Sequence, residues 1–285
     1  MTDFLEQVVA ERRLDVARAK QRVSEHELIG QARVLDRPDA FGFRRSPFVV
    51  DTRGDLFTLM LRQKRREGRL AVIAEVKRRS PAQGGLGEAV DAATLALFYM
   101  AAGAAAISVL TEPRHWGGSI TDLVAVREAT NLPLLCKDVI VDEYQLVEAR
   151  AAGADAVLLI AEALDDQTLH RLVERAQRIG LGLLVEAHEP AAFGRAVTSG
   201  ALVIGINARN LRQPTEIDVG RARQLHAFAR PEQVLVAESG ITSIDDARLL
   251  PARVDAVLIG TALMRAEDPA PLIQGIASIR RTVHA

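Results

Sequence analysis

The sequence predicts an α/β protein, a (β/α)8 (TIM) barrel with an N-terminal helical extension, from two observations. After residue 70, eight short runs rich in Val, Ile and Leu alternate with longer amphipathic stretches rich in Ala and Arg. Strands buried on both faces and separated by crossover helices are typical of a parallel sheet, and eight such units close into a barrel. An open doubly wound sheet is the alternative, but no GxGxxG motif follows the first strand.

We place the extension at residues 1–65 and the barrel at residues 66–285, within a single domain overall. Phe4, Val8, Val9 and Leu14 are spaced in helical register, which predicts an amphipathic helix before the barrel. The irregular connector DRPDAFGFRRSPFVVDTRGD predicts a flap packed over one barrel end, and a regulatory or partner-binding arm is the alternative reading.

The eight apolar runs define the strands in chain order. They are LAVIAEVK, AAAISVLT, LPLLCKDVI, DAVLLIA, LGLLVEAH, LVIGINAR, VLVAESGI and AVLIGTALM. Helical patterns lie between them, for example at 142–152 and 164–179. AAGA, AAGADA and TSGA precede the second, fourth and sixth runs, and their glycines predict helix ends in the left-handed conformation that return the chain to the next strand.

Composition narrows the class of protein. The 285 residues are 48% hydrophobic and 26% charged with a formal net charge of -1, which suits a soluble globule and gives no electrostatic case for nucleic acid or membrane. The single cysteine, Cys136, excludes an intramolecular disulfide and a cysteine-rich metal site, and the six histidines lack ligand spacing, so we expect no metal. No signal core or bilayer-spanning segment is present, so we expect a cytoplasmic protein.

Reactive residues stand at the ends of several predicted strands. Active sites of such barrels lie at the carboxyl ends of the strands. A lone charge there is more often a solvated rim residue, but buried charges are costly unless paired, so a structural barrel has little reason to collect several. Crowding should also push their pKa values apart. The residues concerned are Glu75, Lys77, Lys137, Glu186, Asn207, Arg209 and Glu238.

Small polar residues follow the last two strands. Ser239, Gly240, Gly260 and Thr261 are placed where backbone N–H groups and hydroxyls can approach an anion, which predicts a phosphate pocket. Tight turns are the alternative for either loop alone. The loop RRSPAQGG can close the third side, with Ser80 as a donor and Lys77 within charge range.

Two further residues have two readings each. Cys136 is most simply a small core residue, with a nucleophilic role as the alternative. Trp116, in the glycine-flanked loop EPRHWGGS on the catalytic side, either stacks on an aromatic substrate or plugs the barrel mouth.

These motifs together resemble the indole-3-glycerol phosphate synthase family of tryptophan biosynthesis. The resemblance runs from the N-terminal helix to 268–269. It implies an enzyme, a carboxy-lyase, that closes the pyrrole ring of 1-(2-carboxyphenylamino)-1-deoxyribulose 5-phosphate and releases carbon dioxide and water without cofactor or metal. It also implies an N-terminal segment over the barrel top. The motifs are IAEVKRRSP, ISVLTEPRHWGGS, KDVIVDEYQ, GADAVLLI, LLVEAHE, GINARNL, VAESGI and LIGTALM.

The resemblance also implies residue roles. Lys137 is similar to the general acid that protonates the substrate carbonyl, and Glu186 and Glu75 to the carboxylates that stabilise the cationic intermediate. Lys77 is similar to the lysine that holds the anthranilate carboxylate and donates a proton in dehydration, and Asn207 completes the catalytic set. Substrate contacts are expected from Ser80, Pro81, Trp116, Arg209, Leu211 and Glu238, and phosphate contacts from Lys77, Ser239, Gly240, Gly260 and Thr261.

Two positions depart from the family pattern, and two rival functions remain. Val139 replaces a usual phenylalanine, so we expect a wider aromatic pocket that accepts a modified anthranilate, and Gln83 replaces a common lysine. The rivals are phosphoribosylanthranilate isomerase, which needs a cysteine at the end of the first strand, and a noncatalytic phosphate-ligand sensor. The expected partner is a phosphorylated small molecule, and we expect a monomer or weak homodimer.

Overall fold

Eight parallel strands form a closed barrel in the computed structural model, which describes residues 3–32, 55–81, 84–85 and 91–281. Each strand pairs with the next in chain order and the eighth pairs with the first. The predicted fold class is confirmed, and the open-sheet alternative is wrong. The strands are β1 (Ala71–Val76), β2 (Ala106–Leu110), β3 (Leu134–Lys137), β4 (Ala156–Ile160), β5 (Gly182–Ala187), β6 (Val203–Asn207), β7 (Val234–Glu238) and β8 (Ala256–Ile259).

Helices connect these strands and precede them. Most of the longer helices begin at a polar N-cap residue, such as Asp142 with its capping box to Gln145. Gly103, Gly153 and Gly200 have φ of 94°, 94° and 92°, which confirms the predicted left-handed helix ends. The helices are α1 (Phe4–Arg22), α2 (Glu25–Ala32), α3 (Leu56–Arg66), α4 (Ala92–Ala101), α5 (Ile120–Ala129), α6 (Glu143–Ala151), α7 (Asp166–Arg178), α8 (Pro190–Thr198), α9 (Arg221–Leu225), α10 (Ile244–Arg248), α11 (Thr261–Arg265) and α12 (Ala270–Ala277).

The period of two along each strand separates an inner from an outer apolar layer. In β6, Val203 packs inside the barrel, whereas Ile204 and Ile206 belong to the layer between the strands and the helices. All three are buried. The inner layer is apolar along most of its depth and becomes polar at the carboxyl ends of the strands, so the barrel interior supports a polar mouth from below.

Two of the three described helices before β1, α1 and α3, lie at opposite ends of the barrel. Leu5, Val8 and Val9 of α1 and Phe57 and Leu61 of α3 are all buried in the inner apolar cluster. α1 lies over the carboxyl mouth, where the Phe4 amide donates to the Arg212 carbonyl. α3 closes the opposite end, where its N-cap residue Asp55 lies beside Gly182, the first residue of β5.

The helical stripe of α1 differs from the predicted one at one position. Leu14 is 59% exposed, whereas Arg12 and Val16 are buried. A charged residue therefore occupies the buried face of this helix. The connector predicted as a flap, residues 36–55, lies outside the described residues except for Asp55, and Gln83 lies outside them as well. No helix in the described part of the chain is long and apolar enough to cross a membrane.

Candidate active site

Four charged side chains from alternate strands form the top layer of the barrel interior. The Lys137 ammonium on β3 lies 2.7 Å from Glu238 on β7, 3.6 Å from Glu186 on β5 and 3.7 Å from Glu75 on β1. In barrels of this type each interior layer takes its side chains from alternate strands, which explains why these four residues meet. The carboxylates are buried, so this layer replaces apolar packing with a surrounded cation.

A second lysine lies beside the same layer. The Lys77 ammonium is 3.4 Å from Glu75, two residues earlier in the chain, as the strand period requires. Burial lowers the pKa of Lys77, and the charges of Lys137 and Arg209 lower it further, against the opposing effect of Glu75. Its pKa therefore lies below the ordinary lysine value of 10.5.

The pKa values in the layer move in different directions. For Lys137, burial on its own lowers the pKa, but Glu238, Glu186 and Glu75 outweigh burial and raise it. Burial and the neighbouring Glu186 raise the pKa of Glu238 well above 4.5, although the Lys137 ammonium opposes them. One lysine thus holds its proton firmly and the other loosely within one mouth.

Asn207 at the end of β6 links this layer to the neighbouring loop. Its amide nitrogen donates to Glu186 at 3.1 Å, and its oxygen accepts from the Arg209 amide at 2.9 Å and the Ser239 hydroxyl at 2.8 Å. Both polar atoms of the side chain are therefore fixed. Ser239 has φ of 65°, the only positive value for a non-glycine residue in the described parts of the chain, and Gly240 follows with 73°. Backbone held in this region is enriched at functional sites.

His188 fixes the backbone of Asn207 from behind. Its Nδ1 lies 2.8 Å from the Asn207 carbonyl oxygen, and the Arg221 guanidinium lies 3.2 Å from its Nε2. Because a guanidinium only donates, Nε2 accepts and the ring hydrogen is on Nδ1, which donates to the carbonyl. The buried ring therefore has one tautomer and one orientation.

The N-terminal helix contacts the residue next to Lys137. The buried Arg12 guanidinium lies 2.9 Å from the Asp138 carboxylate, which also accepts from the Thr111 hydroxyl at 2.8 Å and the Val139 amide at 2.7 Å. Burial raises the pKa of Asp138, and Arg12 and Thr111 oppose that rise. Arg12, the charge on the buried face of α1, thus has its partner at the mouth.

The loop after β2 is held by one buried carboxylate. Glu112 accepts the backbone N–H groups of Arg114, His115 and Trp116 at 3.0, 2.7 and 3.0 Å. The ring of Trp116 contacts that of Phe4 on α1 edge-on, with centroids 5.9 Å apart. The half-buried indole both faces the mouth and packs under the helix, so the stacking and plugging readings remain predictions.

These residues surround a cavity with about 1040 Å³ of empty volume, part of it open to solvent. Glu238 lies below the cavity surface, in contact with Lys137, and the side chain of Ser80 lies outside the described part of the structure. All other predicted site residues line the cavity: Glu75, Lys77, Pro81, Trp116, Lys137, Glu186, Asn207, Arg209, Leu211, Ser239, Gly240, Gly260 and Thr261.

Cys136 faces away from this cavity. It is buried in the outer apolar layer, and its Sγ lies 3.3 Å from the Thr111 hydroxyl. Burial raises the pKa of the thiol to about 12. The thiol therefore behaves as a core residue rather than as a nucleophile. Within the described residues, no group of three or more His, Cys, Asp or Glu side chains is arranged to hold a metal ion.

Residues 5–276 match the family model of indole-3-glycerol phosphate synthase. The chain belongs to the indole-3-glycerol phosphate synthase family. The resemblance predicted from the eight motifs is confirmed, and the match spans α1 as well as the barrel.

Individual relatives in this family agree. The chain is 41% identical over 271 residues to an indole-3-glycerol phosphate synthase of Parafrankia sp. (strain EAN1pec), which covers 95% of this chain and 90% of that protein. It is 50% identical over 210 residues to that of Nocardioides sp. (strain ATCC BAA-499 / JS614), which covers 73% and 80%.

Solved structures of other proteins share the fold at low identity. The tryptophan synthase subunit alpha from Legionella pneumophila str. Paris matches with a TM-score of 0.57 and 14% identity, over 78% of this chain and 97% of that one. The 3-hexulose-6-phosphate synthase from Salmonella typhimurium matches with 0.56 and 19%, over 73% and 97%. These likenesses concern the barrel alone.

Several residues that shape this indole-3-glycerol phosphate synthase family site were not predicted from the sequence. Arg12, Asp138, His188 and Glu112 hold the backbone or side chains of other residues in place and do not form a sequence motif. The position of Arg12 on the apolar face of the predicted helix could have indicated that this residue is buried against a carboxylate.

Proposed function

We propose that the mouth of this barrel catalyses indole-3-glycerol phosphate synthesis through the two lysines and three carboxylates described above. The supporting observation is the pair of ammonium groups on Lys137 and Lys77, whose pKa values move in opposite directions within one cavity. The substrate is 1-(2-carboxyphenylamino)-1-deoxyribulose 5-phosphate. The products are indole-3-glycerol phosphate, carbon dioxide and water.

Ring closure needs an acid at the ketone oxygen. As the carboxylate-bearing ring carbon forms its bond to the ketone carbon, the carbonyl electron pair moves to oxygen and takes a proton from Lys137. The raised pKa keeps Lys137 protonated, and the developing alkoxide is a strong enough base to remove that proton. The positive charge that appears at the ring nitrogen is stabilised by the carboxylates of Glu186 and Glu75.

Decarboxylation and dehydration complete the reaction. The bond to carbon dioxide breaks, and its electron pair returns to the ring and neutralises the cationic nitrogen. Leu110, Leu158 and Ile160 give the cavity apolar walls, which solvate a carboxylate poorly and favour its departure. Lys77, with its lowered pKa, then protonates the leaving hydroxyl, and a carboxylate of the layer accepts the proton that the ring loses.

The phosphate is placed at the loops after β7 and β8. Ser239 and Gly240 present backbone in the left-handed region, and Gly260 and Thr261 begin α11 beside them. Because the Ser239 hydroxyl donates to Asn207, its contribution to an anion comes from the backbone N–H rather than from the hydroxyl proton. Fixing the phosphate at one side and the anthranilate carboxylate at Lys77 folds a flexible chain into the geometry for attack.

Product fluorescence tests the proposal. Purified protein mixed with the carboxyphenylamino deoxyribulose phosphate should develop indole fluorescence. Lys137→Ala should lose roughly 10²–10⁴-fold in kcat, the range for removal of a general acid, while KM changes little. Lys64→Ala, on α3 at the opposite end of the barrel, is the matched control and should keep wild-type turnover. Wild-type kcat in Lys137→Ala would refute the assignment of the acid.

The rival functions make different predictions for the same experiment. An isomerase that relies on a catalytic cysteine would lose activity in Cys136→Ala, but the thiol is buried in the outer layer with a raised pKa. A noncatalytic sensor would bind the substrate without producing indole fluorescence. Turnover that persists in Cys136→Ala supports the synthase over both.

A further inference from the structure

The contact between Lys137 and Glu238 spans the whole barrel interior. β3 and β7 are four strands apart in a closed barrel of eight, so the two residues start from opposite walls. Their side chains nevertheless meet at 2.7 Å. The Glu238 carboxylate must therefore leave its own strand and lie over the inner face of a neighbouring one.

The strand it lies over has no side chain at that level. Gly205 on β6 pairs with Glu186 on β5 and with Val236 on β7. A Cβ atom at this glycine would lie 2.2 Å from Oε1 of Glu238 and 3.0 Å from Cβ of Glu186. The first distance is far shorter than any non-bonded contact of a Cβ atom. Even the methyl group of an alanine would therefore compete with the Glu238 carboxylate for the same space.

The same device recurs on the other side of the layer. A Cβ atom at Gly260 would lie 2.3 Å from Oε1 of Glu75 and 3.0 Å from its Cδ. Gly260 follows β8, which pairs with β1, the strand that carries Glu75. Neither Gly205 nor Gly260 is among the residues with positive φ, so space, and not backbone conformation, is what these two positions provide.

We propose that Gly205 is a positioning residue for the acid group of this active site: by leaving the inner face of β6 empty, it lets the Glu238 carboxylate reach the Lys137 ammonium. Gly205 touches neither substrate nor reacting atoms. The effect on turnover rests on the proposed function, whereas the effect on the Lys137 ammonium does not.

Substitution of Gly205 by alanine tests the proposal without substrate. The chain has four lysines, so protein labelled with [ε-¹³C]lysine gives four signals, and Lys137→Arg assigns the one that matters. In Gly205→Ala the carboxylate is displaced, and the Lys137 signal should titrate at lower pH than in the wild-type protein. Gly194→Ala on α8, where a Cβ atom meets nothing within 4 Å, is the matched control and should leave the titration unchanged.

A double-mutant cycle separates positioning from general packing. Gly205→Ala should lower kcat at least tenfold in the wild-type background. In a Glu238→Ala background, where no carboxylate occupies the space, the same substitution should change kcat by less than about twofold, the usual limit for independent sites. Equal losses in both backgrounds would overturn the proposal.

The proposal can also be tested if the Gly205→Ala protein does not fold. If Gly205→Ala alone does not fold, the Glu238→Ala background should restore folding, because it removes the atom at 2.2 Å. A double variant that still does not fold, or a Lys137 titration that is the same with glycine and alanine, contradicts the inference. If the Lys137 titration shifts in Gly205→Ala but the wild-type protein forms no indole-3-glycerol phosphate, the positioning role is upheld and the proposed function is refuted.

Discussion

Removal of the Arg12 side chain provides a direct test of how α1 is held at the mouth. Arg12 and Asp138 are each 9% exposed at the side chain and lie 2.9 Å apart. Arg12→Met keeps much of the apolar stem and removes the guanidinium. The Asp138 carboxylate then stays buried without its cation, a change that typically costs ~3–5 kcal/mol.

The remaining contacts of Asp138 set the expected size of the loss. Its carboxylate still accepts from the Thr111 hydroxyl and the Val139 amide, so we expect the lower end of the range, about 3 kcal/mol. In a domain of this size ~1 kcal/mol lowers Tm by about 2 °C, so Tm should fall by roughly 6 °C. Because Arg12 opposes the rise in the pKa of Asp138 caused by burial, its removal raises that pKa further. The deficit should therefore be largest at neutral pH and shrink as the pH falls and Asp138 takes up a proton.

Urea unfolding at two pH values, with a rescue variant, measures the effect. Arg12→Met/Asp138→Asn should recover most of the loss, since the amide is neutral and the Thr111 hydroxyl can accept from its nitrogen as well as donate to its oxygen. Arg18→Met, an exposed arginine of the same helix, is the control and should change the free energy of unfolding by less than about 0.5 kcal/mol. An Arg12→Met protein within that margin of wild type, or no recovery in the double variant, would refute the reasoning.

Two further predictions concern turnover. Lys77 is needed in its protonated form and its pKa lies below 10.5, so kcat should fall as the pH rises through that lowered pKa. Lys77→Arg cannot release its proton, so it should lose most of the activity and also the alkaline fall in kcat. Profiles of kcat against pH for both proteins measure this. Val139 lines the cavity where the family usually has phenylalanine, so substrates with a substituted anthranilate ring should be accepted with kcat/KM near that of the plain substrate. Val139→Phe should lower kcat/KM for the substituted substrates relative to the plain one. A strict preference of the wild-type enzyme for the plain compound would contradict this prediction.

The barrel could be predicted from the sequence because its determinants are local. The eight apolar runs each contain one strand, and the glycines at 103, 153 and 200 have the left-handed conformation expected of them. The exception on α1 shows the limit of such patterns. The helical period predicted Leu14 on the buried face, but Arg12 is buried there instead, because the Asp138 carboxylate directly after β3 compensates its charge. That compensation is 126 residues away in the chain and leaves no local trace.

The composition of the site could be predicted, but not its internal contacts. Which residues end the strands follows from the runs themselves, so the convergence of Glu75, Lys137, Glu186 and Glu238 was expected and is confirmed. Which carboxylate approaches Lys137 most closely depends on the stagger of the strands around the barrel. The space at Gly205 depends on that same register, because the residue pairs with Glu186 on β5 and with Val236 on β7, and its inner face is left to the Glu238 carboxylate.

Lysine and arginine occur in two different kinds of ion pair in this protein: lysine pairs with the carboxylates of the mouth, and arginine pairs with buried carboxylates outside that layer. Only four of its 36 Lys and Arg residues are lysines. The buried carboxylates of Asp138 and Asp255 are paired with arginine, whose side chain stays protonated in proteins. An ammonium changes its pKa with its surroundings, and the mouth carries Lys77 and Lys137 with pKa values moved in opposite directions. At the mouth, lysine supplies the groups that the proposed reaction needs for proton exchange, whereas arginine supplies the fixed cations beside Asp138 and Asp255.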